Sequence, residues 1–122
     1  MGRFVIRKVP SGLKFDLRAG NGEPILTSEV YTTMAACRKG LESVRKNAPN
    51  AGVENQTQEG YPVLPHPKFE LYEDRSGQFR FRLKARNGQI IATSEGYTAK
   101  AGCLNGIESV KRNAAEADVV EE

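Results

Sequence analysis

Residues 21–48 read NGEPILTSEVYTTMAACRKGLESVRKNA, and residues 87–114 read NGQIIATSEGYTAKAGCLNGIESVKRNA. The second stretch repeats the first at a constant offset of 66 positions without a gap. Self-similarity of this kind marks a duplicated structural unit, and here it decides the fold. Upstream, FVIRKVPSG from Phe4 aligns with FELYEDRSG from Phe69 at an offset of 65. The first copy therefore lacks one residue between Gly12 and Asn21.

Each copy reads strand–strand–strand–helix–strand. In the second, Phe69-Glu-Leu-Tyr-Glu alternates apolar with polar, and Arg75-Ser76-Gly77 forms a turn. Phe79, Phe81, Leu83 and Ala85 then alternate with Arg80, Arg82, Lys84 and Arg86, the period of a half-buried strand. Asn87-Gly88 predicts a tight type I′ hairpin, and Ile90–Thr93 is the returning strand. The first copy repeats this with Leu13, Phe15 and Leu17 facing inward, Asn21-Gly22 at the turn and Pro24 opening the next strand.

The helices follow from a 3.6-residue period. Met34, Cys37, Leu41, Val44 and Ala48 form one stripe, matched by Cys103, Ile107, Val110 and Ala114. Thr32 and Thr98 are the expected N-caps. Arg38, Lys39, Glu42, Arg45 and Lys46 fall off the stripe, toward solvent. Gly40 and Gly106 stand in mid-helix, where glycine costs about 1 kcal/mol relative to alanine. With Ala36 and Gly102 they predict a close approach of helix backbone to sheet. The last strands, from Gly52 and from Asp118, are weak in pattern.

These elements place the chain in the α+β class. The expected division is a first β-β-β-α-β repeat at 1–57, a stiff Pro-rich linker at 58–67 and a second repeat at 68–122. At 122 residues the two copies are expected to share one core, because domains of about 60 residues bury a smaller share of their surface.

The formal net charge is +3. Nine Lys and Arg stand against six Asp and Glu in residues 1–60, and nine against nine in residues 61–122. Neither half resembles a cationic nucleic-acid arm. The opening MGRFVIRKVP lacks the apolar run of a signal peptide, and no stretch approaches the length of a membrane helix. The expectation is a cytoplasmic protein with reduced thiols and no membrane partner.

Candidate chemistry is sparse. His66, the single histidine, lies between prolines in the linker and reads as a solvated residue rather than a general base. Cys37 and Cys103 sit on the apolar stripes and read as small core residues. Glu29, Glu95, Glu42 and Glu108 recur in both copies and read as surface acids. The sharpest feature is the basic row Arg80, Arg82, Lys84 and Arg86, a candidate anion or nucleic-acid contact. Phe79 and Phe81 alternate to the opposite face and cannot stack on bases beside it. Pairing with acids of the neighbouring strand, such as Glu70 and Asp74, is the favoured reading of that row.

The stretch from Phe69 to Ala114, with its SEGYTAKAGC and GIESVK blocks, closely resembles the YegP-like family of small bacterial proteins of unknown function. The first copy is looser, with Val30 for Gly96 and Met34 for Lys100. The resemblance implies a tandem repeat of two β-β-β-α-β units in a single antiparallel sheet. Two helices would pack on one face, and the repeats would exchange their C-terminal strands. It carries no catalytic residues and no cofactor, and it implies a monomer acting as an internal pseudo-dimer. The functional expectation is a non-enzymatic structural or binding module. The alternatives are a nucleic-acid binder using the basic sheet face and a small-molecule site at the seam between repeats. The second copy carries the basic row, so binding is expected there.

Overall fold

The computed structural model describes residues 2–122. The first repeat supplies strands β1 (Arg3–Val9), β2 (Gly12–Arg18) and β3 (Pro24–Ser28), helix α1 (Met34–Asn47) and strand β4 (Gly52–Asn55). The second supplies β5 (Lys68–Glu73), β6 (Phe79–Lys84), β7 (Ile90–Thr93), α2 (Lys100–Ala114) and β8 (Asp118–Glu121). All eight strands join one sheet in the order β4-β5-β6-β7-β3-β2-β1-β8. The repeats meet at an antiparallel β3–β7 seam, Thr27 opposite Thr93. The final strand of each repeat lies beside the first strand of the other, Val53 opposite Phe69 and Val119 opposite Phe4.

The sheet is mixed, not antiparallel as expected. The β4–β5 and β1–β8 pairs are parallel. Parallel neighbours need a long connection instead of a tight turn. That condition is met, because residues 56–67 separate β4 from β5 and no hairpin joins β8 to β1.

Alternation along the strands sends Phe4, Ile6, Phe15 and Leu17 to the helix-covered face, as it does Phe69, Leu71, Phe81 and Leu83. They pack with Cys37, Leu41, Val44, Cys103, Ile107 and Val110 in one cluster drawn from both repeats. The packing is repeated in detail. Phe4 meets Phe15 edge-on at 5.9 Å and Phe69 meets Phe81 edge-on at 5.8 Å, with Tyr31 and Tyr97 stacked beyond.

Local chemistry departs from the sequence reading in three places. The β6–β7 hairpin is not a type I′ turn, because Asn87 does not take positive φ and only Gly88 does, at 86–88 in a wider loop with φ 83°. Instead Gly88 N–H donates to Ala85 O and Ala85 N–H donates to Gln89 O, both at 2.9 Å, while Asn87 Oδ1 accepts from Gln89 N–H. The loop is thus longer by one residue, and the regular pairing of β6 with β7 stops at Lys84. The first helix is capped by Thr33, whose hydroxyl accepts from Ala36 N–H, not by Thr32; Ala99 holds the matching place in α2 without a side-chain cap.

The third departure concerns the mid-helix glycines. A Cβ on Gly40 would meet the Tyr31 hydroxyl and lie 2.7 Å from Tyr31 Cζ, so the neighbour that demands glycine is this tyrosine rather than the sheet backbone. Tyr97 stands over Gly106 in the same way. Gly40→Ala should cost about 1–2 kcal/mol, overpacking outweighing the gain in helix propensity. In a Tyr31→Ala background the same change should turn stabilising, by up to about 1 kcal/mol. Urea denaturation of the four proteins reads the sign directly; a stabilising Gly40→Ala in the parent would refute the contact.

Two serines not singled out by sequence close the strand ends. Phe15 N–H donates to Ser28 Oγ and Phe81 N–H donates to Ser94 Oγ, each at 2.9 Å. Each hydroxyl then donates to the next carbonyl, Glu29 O or Glu95 O. Where β3 and β7 leave the ladder, the serine side chain therefore replaces a backbone partner.

Candidate functional site

The basic row lies on the sheet face opposite the helices, and its charges are already matched. Arg80 Nε donates to Asp74 Oδ2 at 2.6 Å, and Arg82 Nε donates to Glu70 Oε1 at 2.7 Å with its guanidinium 4.5 Å from the Tyr72 ring centre. Lys84 Nζ reaches Glu70 Oε2 at 3.3 Å. Cross-strand pairing accounts for this, since Glu70 stands opposite Arg82. Arg86 is separate from the row. It sits in the β6–β7 turn, exposed, with no ion pair among the described residues.

Beside Glu70 lies a charge cluster that sequence alone did not reveal. Lys68 Nζ is 2.7 Å from Glu54 Oε1 and 3.3 Å from Glu70 Oε2, and the three side chains are at most 5% exposed. The linker seals them, Leu64 N–H donating to Glu54 Oε1 at 2.8 Å. Burial would raise the Glu54 pKa, but hydrogen bonds from Lys68, Gln56 and Leu64 outweigh it and hold the carboxyl at about 2. Burial likewise opposes ionisation of Glu70, and Arg82, Lys68 and Lys84 together hold its pKa below the usual range. The alternation Lys68–Glu70–Tyr72 marks these residues as polar-face, but no local pattern shows that the linker covers them. At the equivalent place in the first repeat, Val120 and Val5 stand in one row with Asp16, which binds Arg7 and Arg18.

The cysteines are buried and free, with thiol pKa values raised by burial, to about 11 for Cys103. A thiolate nucleophile is the opposite of this environment. His66 is exposed, beside Gly88. Glu29, Glu95, Glu42 and Glu108 are all exposed, and Glu42 accepts from Arg45 on its own helix. Among the described residues, no helix is long and apolar enough to cross a membrane, and no cluster of three or more metal-ligating side chains occurs.

A concavity lies at the seam, between α1 of the first repeat and the β6–β7 turn of the second. Its inner part, about 300 Å³, is lined by Tyr31, Ala36 and Gly40 on one side and by Ile90 and Ile91 on the other. It continues outward into a hollow of about 450 Å³ bordered by Lys39, Ser43, Lys46, Arg86 and Asn87, with Glu42 at the edge. The longer turn is what brings Arg86 here, off the strand row and across from Lys39. Sequence had assigned Lys39 and Lys46 simply to solvent. The signal available was their spacing of seven, which with Ser43 places them on one side of α1. The arrangement can hold a small molecule by contact with Tyr31 and Ile91 and attract negative charge at its mouth.

A family model described as "Domain of unknown function (DUF1508)" matches residues 13–55 and 74–121, one segment in each repeat. A UPF0339 protein of Pseudomonas aeruginosa is 37% identical over 121 residues, which are 98% of this chain and 96% of that protein. A UPF0339 protein of Treponema denticola is 65% identical over 54 residues; these are 44% of this chain but 93% of that relative, which thus spans a single repeat. The solution NMR structure of a protein of unknown function, YegP from E. coli, is similar with a TM-score of 0.81 at 36% identity, covering 99% of this chain and 92% of that one.

Proposed function

The chain belongs to the DUF1508 (UPF0339) family, whose function is unknown, and on that premise we propose that it is a non-enzymatic binding module with its ligand site at the seam. In this reading the repeats at 1–57 and 68–122, bridged by 58–67, act as an internal pseudo-dimer within a monomeric, cytoplasmic protein. The observation that carries it is the groove itself, to which α1 of one repeat and the β6–β7 turn of the other both contribute. A site of this kind exists only when both repeats are present and interlocked. Concave sites with an apolar lining and a few polar groups are the usual form of small-molecule sites.

An NMR screen of small molecules, read at backbone amides, tests the reading. Hits should shift amides in residues 36–46 and 86–91. Hits that cluster elsewhere, or a diverse library without hits, would refute a seam site.

Nucleic-acid binding through Arg80, Arg82 and Lys84 is the weaker reading. A phosphate there has to displace Glu70 or Asp74 from cations that they already hold. Coulombic attraction is correspondingly small, since each cation arrives with its own counter-charge. In the same reading Arg86 contributes to the seam groove, not to the sheet face.

A further inference from the structure

Resting on the seam groove as the binding site, we infer that its ligand is a small anion with an apolar body, and that only one of two pseudo-equivalent grooves takes it. Duplication builds the arrangement twice. Helix α1 packs against β7 of the other repeat, and α2 packs against β3. The offset of 66 then assigns every lining residue a counterpart.

Most counterparts conserve chemistry. Tyr31 corresponds to Tyr97, Gly40 to Gly106, Ser43 to Ser109, Lys46 to Arg112 and Glu42 to Glu108. Three do not. Lys39, Arg86 and Gln89 correspond to Asn105, Gly20 and Glu23. Two of these exchanges delete a cation and the third adds an acid, so the second groove is more negative by three charges. A difference of this size, confined to the groove and its mouth, separates two sites that share Tyr31/Tyr97 and Ile91/Ile25 and differ in the apolar lining only by Ile90 against Pro24 and Ala36 against Gly102.

The cations of the first groove are available. Lys39, Lys46 and Arg86 are exposed and take part in no ion pair among the described residues, whereas Arg80, Arg82 and Lys84 each have an acid partner. The one acid at the mouth, Glu42, is engaged by Arg45 at 3.2 Å. Convergence matters more than exposure. Lys39 and Lys46 come from a helix of one repeat and Arg86 from a turn of the other, on a common hollow. The Tyr31 and Ile91 surface behind them favours a ring or short apolar chain over a bare inorganic ion.

The test uses the full chain with benzoate as an anion bearing a ring, benzyl alcohol as its neutral counterpart and inorganic phosphate as the bare anion. Benzoate should shift amides at 39–46 and 86–91 saturably, more tightly than either control, and weaken with added salt. The variant Lys39→Asn/Arg86→Gly/Gln89→Glu gives the first groove the residues of the second and should bind benzoate at least about tenfold more weakly. The reverse variant, Asn105→Lys/Gly20→Arg/Glu23→Gln, should gain a second set of shifts at 105–112 and 20–25. Should the triple changes disturb folding, Lys39→Gln alone, at an exposed position, should still weaken binding. Equal shifts in both grooves of the parent, or benzoate binding untouched by these changes, overturn the inference. Benzyl alcohol binding in the groove as well as benzoate does would end the anionic assignment but leave the seam site standing. No response of the groove to any probe would count against the seam site itself.

Discussion

Lys68→Met should destabilise the protein by about 3–5 kcal/mol, the cost of removing one partner from a buried ion cluster. Methionine preserves most of the volume of the side chain, so the effect is electrostatic. Lys68 is 4% exposed, and its loss leaves Glu54 and Glu70, at 2% and 3%, beneath the linker without the ammonium that they share. Arg82 and Lys84 still serve Glu70, but Glu54 keeps only Gln56 and the Leu64 amide. Against a total stability of about 5–15 kcal/mol this is a large fraction. Adding Glu54→Leu should recover part of the loss, because removing both charges of a buried pair costs less than removing one.

The pH dependence has a definite sign. Glu54 has a folded pKa of about 2, depressed below its unfolded value, so its contribution is present above about pH 4.5 and is lost as pH falls toward 2. In Lys68→Met the depressing partner is gone, and protonation of Glu54 then relieves an uncompensated charge. The difference between parent and variant should therefore shrink between pH 7 and pH 4. Chemical denaturation at the two pH values checks both statements. A cost below about 1 kcal/mol at pH 7, or a difference that widens in acid, would contradict the buried cluster.

The fold was legible because its determinants are local and occur twice. Alternation in Phe79–Ala85 and the stripe Cys103–Ile107–Val110 each announce an element, and the duplication confirms each assignment with a second copy. The boundaries that failed were set by single side chains. Thr33 caps α1 although Thr32 is the residue with a counterpart, Thr98, in the second repeat. Strand direction was illegible, since β8 runs beside β1 from the other end of the chain and β4 runs beside β5 across the linker of residues 56–67, and only the length of the connections bears on it. Sequence alignment puts the one-residue deletion between Gly12 and Asn21, but the bridges Leu13–Tyr31 and Phe79–Tyr97 already keep the offset of 66, so it falls earlier, in the β1–β2 connection at Pro10–Ser11, where the second repeat has the longer turn organised by Asp74.

The candidate site was legible in smaller part. Pairing of Arg80 and Arg82 with Asp74 and Glu70 follows from strand adjacency, which sequence suggests. The groove does not, because Lys39 and Arg86 meet only through packing of one repeat on the other. The same packing draws the proposed binding role away from the second repeat alone and places it between the two.

The largest effect expected of any change is separation of the repeats. A fragment of residues 1–57 keeps β1 to β4 and α1 but loses β7 beside β3, β8 beside β1 and β5 beside β4. It also loses Phe69, Phe81, Ile107 and Val110 from the shared core. An isolated domain of this length buries only about 60% of its unfolded surface, and this one would expose three strand edges at once. Its remaining route to a complete sheet is a second copy of itself, with β4 of each chain beside β1 of the other. The relative that spans a single repeat is consistent with such an assembly. Sedimentation equilibrium of the fragment over a wide concentration range, with circular dichroism on the same samples, measures this directly. The expected result is a dimer that loses helical signal as it dissociates on dilution; a fragment that folds as a stable monomer, with cooperative unfolding independent of concentration, would contradict the shared core.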